Sequence, residues 1–212
     1  MVTFIILRHG YSLFNKESRF SGQYNVDLDE LGLRQAQDTA AYVLKNYKID
    51  KIYSSDLQRA LDTVEPIAKA LGMPVEKSVK LRELDVGAWE GKTFEEVKSQ
   101  YPEAFELYKT NVGIARPTDG ESYAELIKRS ADEMERLAKE NEGKTVLVST
   151  HGGFIRCLRC AWNNIPLEEV KNVPHVANAS VSVAKYERGV GKFLILGYNE
   201  HLQDKVTEFK VN

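Results

Sequence analysis

Two short apolar runs, Val2–Leu7 and Thr145–Val148, each stop at a tip that carries a histidine followed by glycine: Arg8-His9-Gly10 and Ser149-Thr150-His151-Gly152-Gly153. An unbroken apolar run of this length, bounded by polar residues, reads as a strand buried on both faces. A weaker third run is Ile49–Tyr53. The segments between them repeat at helical spacing. Leu31 to Tyr47 carries apolar residues at 33, 36, 40, 43, 44 and 47. Asp56 to Leu71 does so through Leu57, Leu61, Val64, Ile67, Ala68 and Leu71, with Gly72 as its stop, and Ser122 to Ala138 through Leu126, Ile127, Met134 and Leu137. Near the end, Ser180–Tyr186 and Lys192–Tyr198 read as strands joined by a hairpin over Glu187–Gly191. Strands alternating with helices predict an α/β fold, a three-layer sandwich whose mostly parallel central sheet is flanked by helices. Ligands of such sheets sit beyond the carboxyl ends of the strands, and both His-Gly tips belong on that rim.

The 212 residues contain no internal repeat and no Gly/Ser linker, so one domain over residues 1–212 is expected. The alternation falters between Gly87 and Gly120, which reads as an insertion over the rim at about 87–120. Lys plus Arg number 29 and Asp plus Glu 31, for a net charge of −2. Such a balance argues against general affinity for nucleic acid or an anionic membrane, so anions must be held by a local cation cluster. The run Val2–Leu7 is too short for a signal-peptide core or a membrane span, and two cysteines make no disulfide framework. These features give a cytoplasmic reading.

Four polar motifs stand out. Arg8-His9-Gly10 puts a cation and an imidazole at a strand end, where glycine permits a tight turn. His151-Gly152-Gly153 opens the predicted helix Phe154–Trp162, whose free N–H groups favour an anion. In Tyr53-Ser54-Ser55-Asp56-Leu57-Gln58-Arg59, Ser55 or Asp56 is a sensible N-cap. Arg59 there opposes the helix dipole, which suits anion binding better than helix stability. The fourth is Arg82-Glu83-Leu84, followed by Gly87-Ala88-Trp89-Glu90-Gly91. A Glu beside an Arg is most often a solvated pair, and only its company singles out Glu83.

Taken in order, these motifs resemble the histidine phosphatase superfamily, in its phosphoglycerate-mutase-like branch, over nearly the whole chain. The resemblance implies that His9 accepts the phosphoryl group and that Arg8, Arg59 and His151 form the phosphate pocket. It places Glu83 at the proton donor's position, and Asn15, Ser21, Gly22 and Gly152 along the phosphate or substrate site. The chemistry suits these residue types. A neutral imidazole is a competent nucleophile towards phosphorus. Guanidiniums give forked hydrogen bonds to the equatorial oxygens, and a carboxylic acid can protonate the leaving alkoxide. Neither a metal nor another cofactor is required.

Within that resemblance the chain departs from cofactor-dependent phosphoglycerate mutases. Val86 replaces their Tyr before Gly87, Phe94 stands where they carry a Lys, and Gly153 replaces their Asn. Between Phe94 and Gly120 the single arginine is Arg116, where the mutases have a pair that grips a carboxylate. Hydrolysis of a small phosphomonoester through a phosphohistidine is therefore expected, with the mutase as the alternative. A phosphoester-binding module without catalysis and a metallohydrolase rank below both. Tyr11 replaces an acidic residue common among relatives, while Phe14, Phe20, Tyr24 and Trp89 are either core or an apolar wall for the leaving group. Cys157-Leu158-Arg159-Cys160 is read as two buried helix residues, His175 and His201 as structural or exposed, and Asn178 and Ser180 as residues that order a turn. Asp132-Glu133, Glu135 and Lys139-Glu140 are read as a solvated helix face.

Overall fold

The computed structural model describes residues 1–205. In chain order the elements are β1 (Val2–Arg8), α1 (Leu13–Lys16), α2 (Glu30–Asn46), β2 (Lys51–Ser54), α3 (Gln58–Leu71), β3 (Glu76–Lys77), α4 (Phe94–Gln100), α5 (Pro102–Thr110), α6 (Tyr123–Glu140), β4 (Thr145–Thr150), α7 (Gly152–Trp162), β5 (Val181–Glu187) and β6 (Val190–Tyr198). The strands form one sheet in the order β3-β2-β4-β1-β5-β6. The β3-β2, β2-β4 and β4-β1 pairs are parallel, and β5 and β6 add antiparallel. This is the mostly parallel sandwich that the alternation predicts.

Each strand sends alternate side chains to opposite faces, and the two faces have separate cores. Phe4, Ile6, Val146 and Val148 pack with Leu126, Met134, Leu137, Phe154 and Leu158 of α6 and α7. Ile5, Leu7, Ile52 and Leu147 pack with Ala40, Val43, Val64 and Ile67 of α2 and α3. Burial on both sides is why the first run lacks alternation: Phe4, Ile5, Ile6 and Leu7 are all fully buried. Each such side chain contributes about 1.5–3 kcal/mol. No helix among the described residues is long and apolar enough to cross a membrane.

Three boundaries differ from expectation. α3 starts at Gln58 rather than Asp56, and its N-cap position, Leu57, offers no side-chain oxygen. The two expected caps are engaged elsewhere, Asp56 with Arg82 and Ser55 with His151. Asn25 Oδ1 caps α3 from another loop, accepting from Gln58 N at 2.7 Å. α7 begins at Gly152, two residues earlier than predicted. The β5–β6 turn is tighter than predicted, with both Arg188 (φ 52°) and Gly189 (φ 83°) left-handed, as a two-residue type I′ turn requires. Residues 87–120 hold no strand. They form α4 and α5, which bring Phe94 and Tyr108 to a cleft on the carboxyl rim.

The β1 tip is pressed against α2. A Cβ on Gly32 would lie 2.0 Å from Tyr11 O, and one on Gly10 would lie 2.8 Å from Gly32 O. The backbone of this turn has no freedom to retreat, because Tyr11 O already accepts from Asp29 N. Gly32→Ala is therefore expected to destabilise the protein by about 2 kcal/mol, as overpacking of a filled interior does. Urea unfolding of the two proteins measures this, and an unchanged midpoint would contradict the packing argument.

Candidate active site

The parallel strands β1, β2 and β4 end side by side, and each delivers one part of the site. His9 follows β1. Its N–H donates to Thr150 O, while its carbonyl accepts from Ala179 N and Asn178 Nδ2. Gly10 N donates to Thr63 Oγ1 of α3. These bonds fix the turn, and with it the ring. His9 Nδ1 lies 2.7 Å from Gly10 O. A carbonyl only accepts, so Nδ1 carries the hydrogen and the lone pair of the neutral ring is on Nε2. Burial, reinforced by Arg59 and Arg8, holds the His9 pKa well below the ordinary histidine value. The ring is therefore neutral at physiological pH.

His151, at the start of α7, is fully buried, with its ring centroid 5.2 Å from that of His9. Its Nε2 shares a 2.8 Å hydrogen bond with Ser55 Oγ, and its Nδ1 has no protein partner among the described residues. Burial and then Arg59 also push its pKa down. Arg59 is fully buried in α3 and donates to Gly22 O at 2.7 Å and Tyr24 O at 2.8 Å. Its Nε has no protein partner among the described residues. Burial lowers its pKa to about 10, with Glu83 and Glu90 opposing the shift, so it stays charged at neutral pH. Arg8 donates through Nη1 to Val176 O.

Glu83 reaches the same place from the loop before residue 87. Its Oε1 accepts from Leu84 N at 2.9 Å and its Oε2 from Gly153 N at 3.0 Å. A Cβ on residue 153 would stand 2.2 Å from Glu83 Oε1, so glycine there is what admits the carboxylate. Asn15 Oδ1 accepts from Ser12 N, Ser12 Oγ and Asn178 Nδ2, which turns its own amide N–H group away from that network. Asn178 thus orders the turn, as the sequence suggested.

A cleft of about 320 Å³ is lined by Arg8, His9, Asn15, Ser21, Gly22, Arg59, Glu83 and Gly152, with His151 directly behind His9. Eight of the nine residues singled out from the sequence thus line one cavity, and the ninth, His151, packs against His9 without lining it. The four aromatic residues read as either core or wall divide between those places. Phe20 lines the cleft, but Trp89 is fully buried behind it, and Tyr24 is exposed and stacked on Phe14. Phe94, Tyr108 and Tyr123 complete the lining instead. His175, read as structural or exposed, also lines the cleft, its Nε2 accepting from Arg156 at 3.2 Å. His201 stacks on Tyr42 and Tyr198, far along the chain from any motif. Cys157 and Cys160 are buried unpaired thiols whose pKa values burial pushes up. Among the described residues, no three His, Cys, Asp or Glu side chains converge as metal ligands would.

Two positioning residues had no sequence signal. Arg129 of α6 spends all five N–H donors: on the carbonyls of Lys80, Arg82 and Glu83, and on both oxygens of Glu121. It fastens the backbone that carries Glu83. Glu90 accepts from Gln23 N at 2.6 Å and so holds the loop whose carbonyls receive Arg59. The face of α6 expected to be solvated is partly buried. Glu133 is 1% exposed and is held by Ser78 and Arg136.

The family model described as histidine phosphatase superfamily (branch 1) matches residues 4–199. Over 181 residues the chain is 35% identical to a metal-independent phosphoserine phosphatase of Arabidopsis thaliana, covering 84% of this chain and 74% of that one. It is 33% identical over 208 residues to phosphoserine phosphatase 1 of Hydrogenobacter thermophilus, covering 98% of each. A solved phosphoserine phosphatase from Entamoeba histolytica, in complex with phosphoserine, superposes with a TM-score of 0.83 at 26% identity, over 95% of this chain and 100% of that one.

The depressed pKa values have a measurable sign. Both rings are neutral in the folded state and gain protons more readily when unfolded. The stability they contribute is present above the unfolded value, about 6.5, and is lost as pH falls towards the lower folded values. Nitrogen-15 NMR of the imidazoles is expected to show His9 as the Nδ1–H tautomer with no titration midpoint near pH ~6.5. A midpoint there would refute the buried, neutral assignment.

Proposed function

Because the chain belongs to the histidine phosphatase superfamily (branch 1), we propose that it is a metal-independent phosphomonoesterase that works through a phosphohistidine at His9. The observation that carries this reading is the His9 Nδ1–Gly10 O hydrogen bond, which leaves a neutral ring with its nucleophilic lone pair on Nε2, in a cleft flanked by two guanidiniums.

In the first half-reaction, Nε2 attacks phosphorus in line, a P–N bond forms and the P–O bond to the alcohol breaks. Arg8 and Arg59 bear the charge that spreads over the equatorial oxygens, with the Asn15 amide and the unpartnered Nδ1 of His151 as further polar contacts. The proton for the departing alkoxide comes from the Glu83 carboxyl. In the second half-reaction the Glu83 carboxylate takes a proton from water, which attacks phosphorus and releases phosphate, and the His9 lone pair returns. The positive charge that a divalent cation supplies in other phosphatases is here supplied by arginines that a buried scaffold holds in place. Ser55 and Asp56 are part of that scaffold. Ser55 bonds His151, while Asp56 grips Arg82 beside Glu83, tying the second histidine and the proton donor to the same loop.

The mutase alternative needs a cation for the substrate carboxylate. Arg116, the arginine available in the segment from Phe94 to Gly120, is bound to both oxygens of Glu125 and to Gly120 O and does not line the cleft. Hydrolysis is the reading this favours.

His9→Ala is expected to lower phosphate release by at least ~1000-fold, while EDTA leaves the wild-type rate unchanged. Acid-labile labelling of wild type, absent in the variant, identifies the intermediate. Glu83→Gln is expected to slow alkyl monoesters by about 100-fold but 4-nitrophenyl phosphate far less, because 4-nitrophenolate leaves without a proton. Equal losses on both substrates would remove Glu83 from the donor role.

A further inference from the structure

Resting on the phosphatase reading above, we propose that this site prefers monoesters of apolar alcohols of about one ring's size over monoesters whose alcohol carries a carboxylate, phosphoserine included. The cleft has two kinds of wall. His9, Arg8, Arg59 and Glu83 take the phosphoryl group. Phe20, Leu84, Val86, Phe94, Tyr108 and Tyr123 form an apolar stretch of the remaining lining, which also carries polar residues such as Asn15, Ser21 and Asn178. Three of these rings form one packed cluster: Phe20 lies 4.5 Å from Phe94 and 5.7 Å from Tyr108 between ring centroids, both edge-on. Trp89 backs both Phe20 and Tyr108. The cluster presents aromatic faces and edges, a surface that favours an apolar or aromatic guest.

An accounting of charge points the same way. Among the described residues, the arginines and lysines lining the cleft are Arg8, Arg19 and Arg59. Arg8 and Arg59 line the cleft together with His9 and are the cations for the phosphoryl group. Arg19 is already met by Glu17, by Glu96 and by the carbonyl of Gly91. His175 accepts from Arg156, and burial together with that cation keeps it neutral. No lining cation is left uncommitted for a substrate carboxylate. The one lining carboxylate, Glu83, is the proton donor, so a substrate ammonium has no counter-charge either. Burial keeps the Tyr108 and Tyr123 phenols protonated, so they offer hydroxyls rather than charge. A zwitterionic alcohol would surrender hydration here without a partner, whereas an apolar ring would lose only water. The volume of about 320 Å³ is at the small end for ligand sites and suits an alcohol of roughly one ring beyond the phosphate.

The test compares kcat/KM for benzyl phosphate, phosphoserine and 3-phosphoglycerate, all esters of aliphatic alcohols. Benzyl phosphate is expected to be favoured by about tenfold or more, in the range a hydrophobic pocket supplies. Phe94→Ala is expected to erase about tenfold of that preference, and Phe94→Leu, which keeps most of the packing volume, to erase less. The inhibition constant of orthovanadate should be retained in both, since it reads the phosphate pocket alone. Phosphoserine or 3-phosphoglycerate equal to or better than benzyl phosphate would overturn the preference and leave the phosphatase reading standing. If no monoester turns over, that reading fails, and calorimetry with benzylphosphonate against 2-amino-4-phosphonobutyrate decides the preference by binding alone. Tighter binding of benzylphosphonate upholds it; equal, weaker or no binding overturns it.

Discussion

The parallel register of β1 on β4 sets Arg8 opposite Thr150, and with it His9 beside His151. The next backbone hydrogen bond beyond that pair, from His9 N to Thr150 O, locks the two tips at one height. A slip of one residue would turn the side chains of β1 to the opposite faces of the sheet and exchange the two cores. The apolar burial of Phe4 to Leu7 therefore fixes the height and the direction of His9, the proposed nucleophile. Catalytic geometry and core packing are the same constraint in this sheet.

Around that pair the molecule sets neutral rings among fixed cations. A buried arginine is costly unless its donors are met. Arg59 meets the requirement with carbonyls from the Gly22–Tyr24 loop, and Glu90 in turn holds that loop. Arg129 uses the same device on the Glu83 side, with carbonyls instead of carboxylates taking most of its donors. Carbonyl partners hold a guanidinium without cancelling its charge. For Arg59 this leaves a positive field that adds to burial in depressing the pKa of His9.

Much of this was legible along the chain. The strands, the principal helices and the residues Arg8, His9, Arg59, Glu83 and His151 all follow from local pattern or from motif order. The hidden parts share a physical cause. Ser55 and Asp56 look like helix caps in sequence because capping depends on local spacing, yet partners more than 25 residues away claim them. Arg129 and Glu90 act through backbone carbonyls and N–H groups, which every residue possesses and no sequence pattern marks. The choice between core and wall stayed open in the sequence for a related reason. Trp89 and Phe94 are equally plausible linings by type, and only the packing of α4 and α5 sends one into the core and the other to the cleft.

The sequence by itself determined the layers, the placing of two His-Gly turns at strand ends and the chemical types needed for phosphoryl transfer. Those depend on hydrophobic period and on residue identity, both local properties. Tertiary structure alone decided which histidine nitrogen carries the lone pair, which cations remain available to an anion and which rings line the cleft. Each of these depends on what lies across space: Gly10 O against Nδ1, Glu17 and Glu96 against Arg19, and Phe20 against Phe94. Electrostatic availability and side-chain packing are pairwise quantities, and a linear chain does not state its pairs until it has folded.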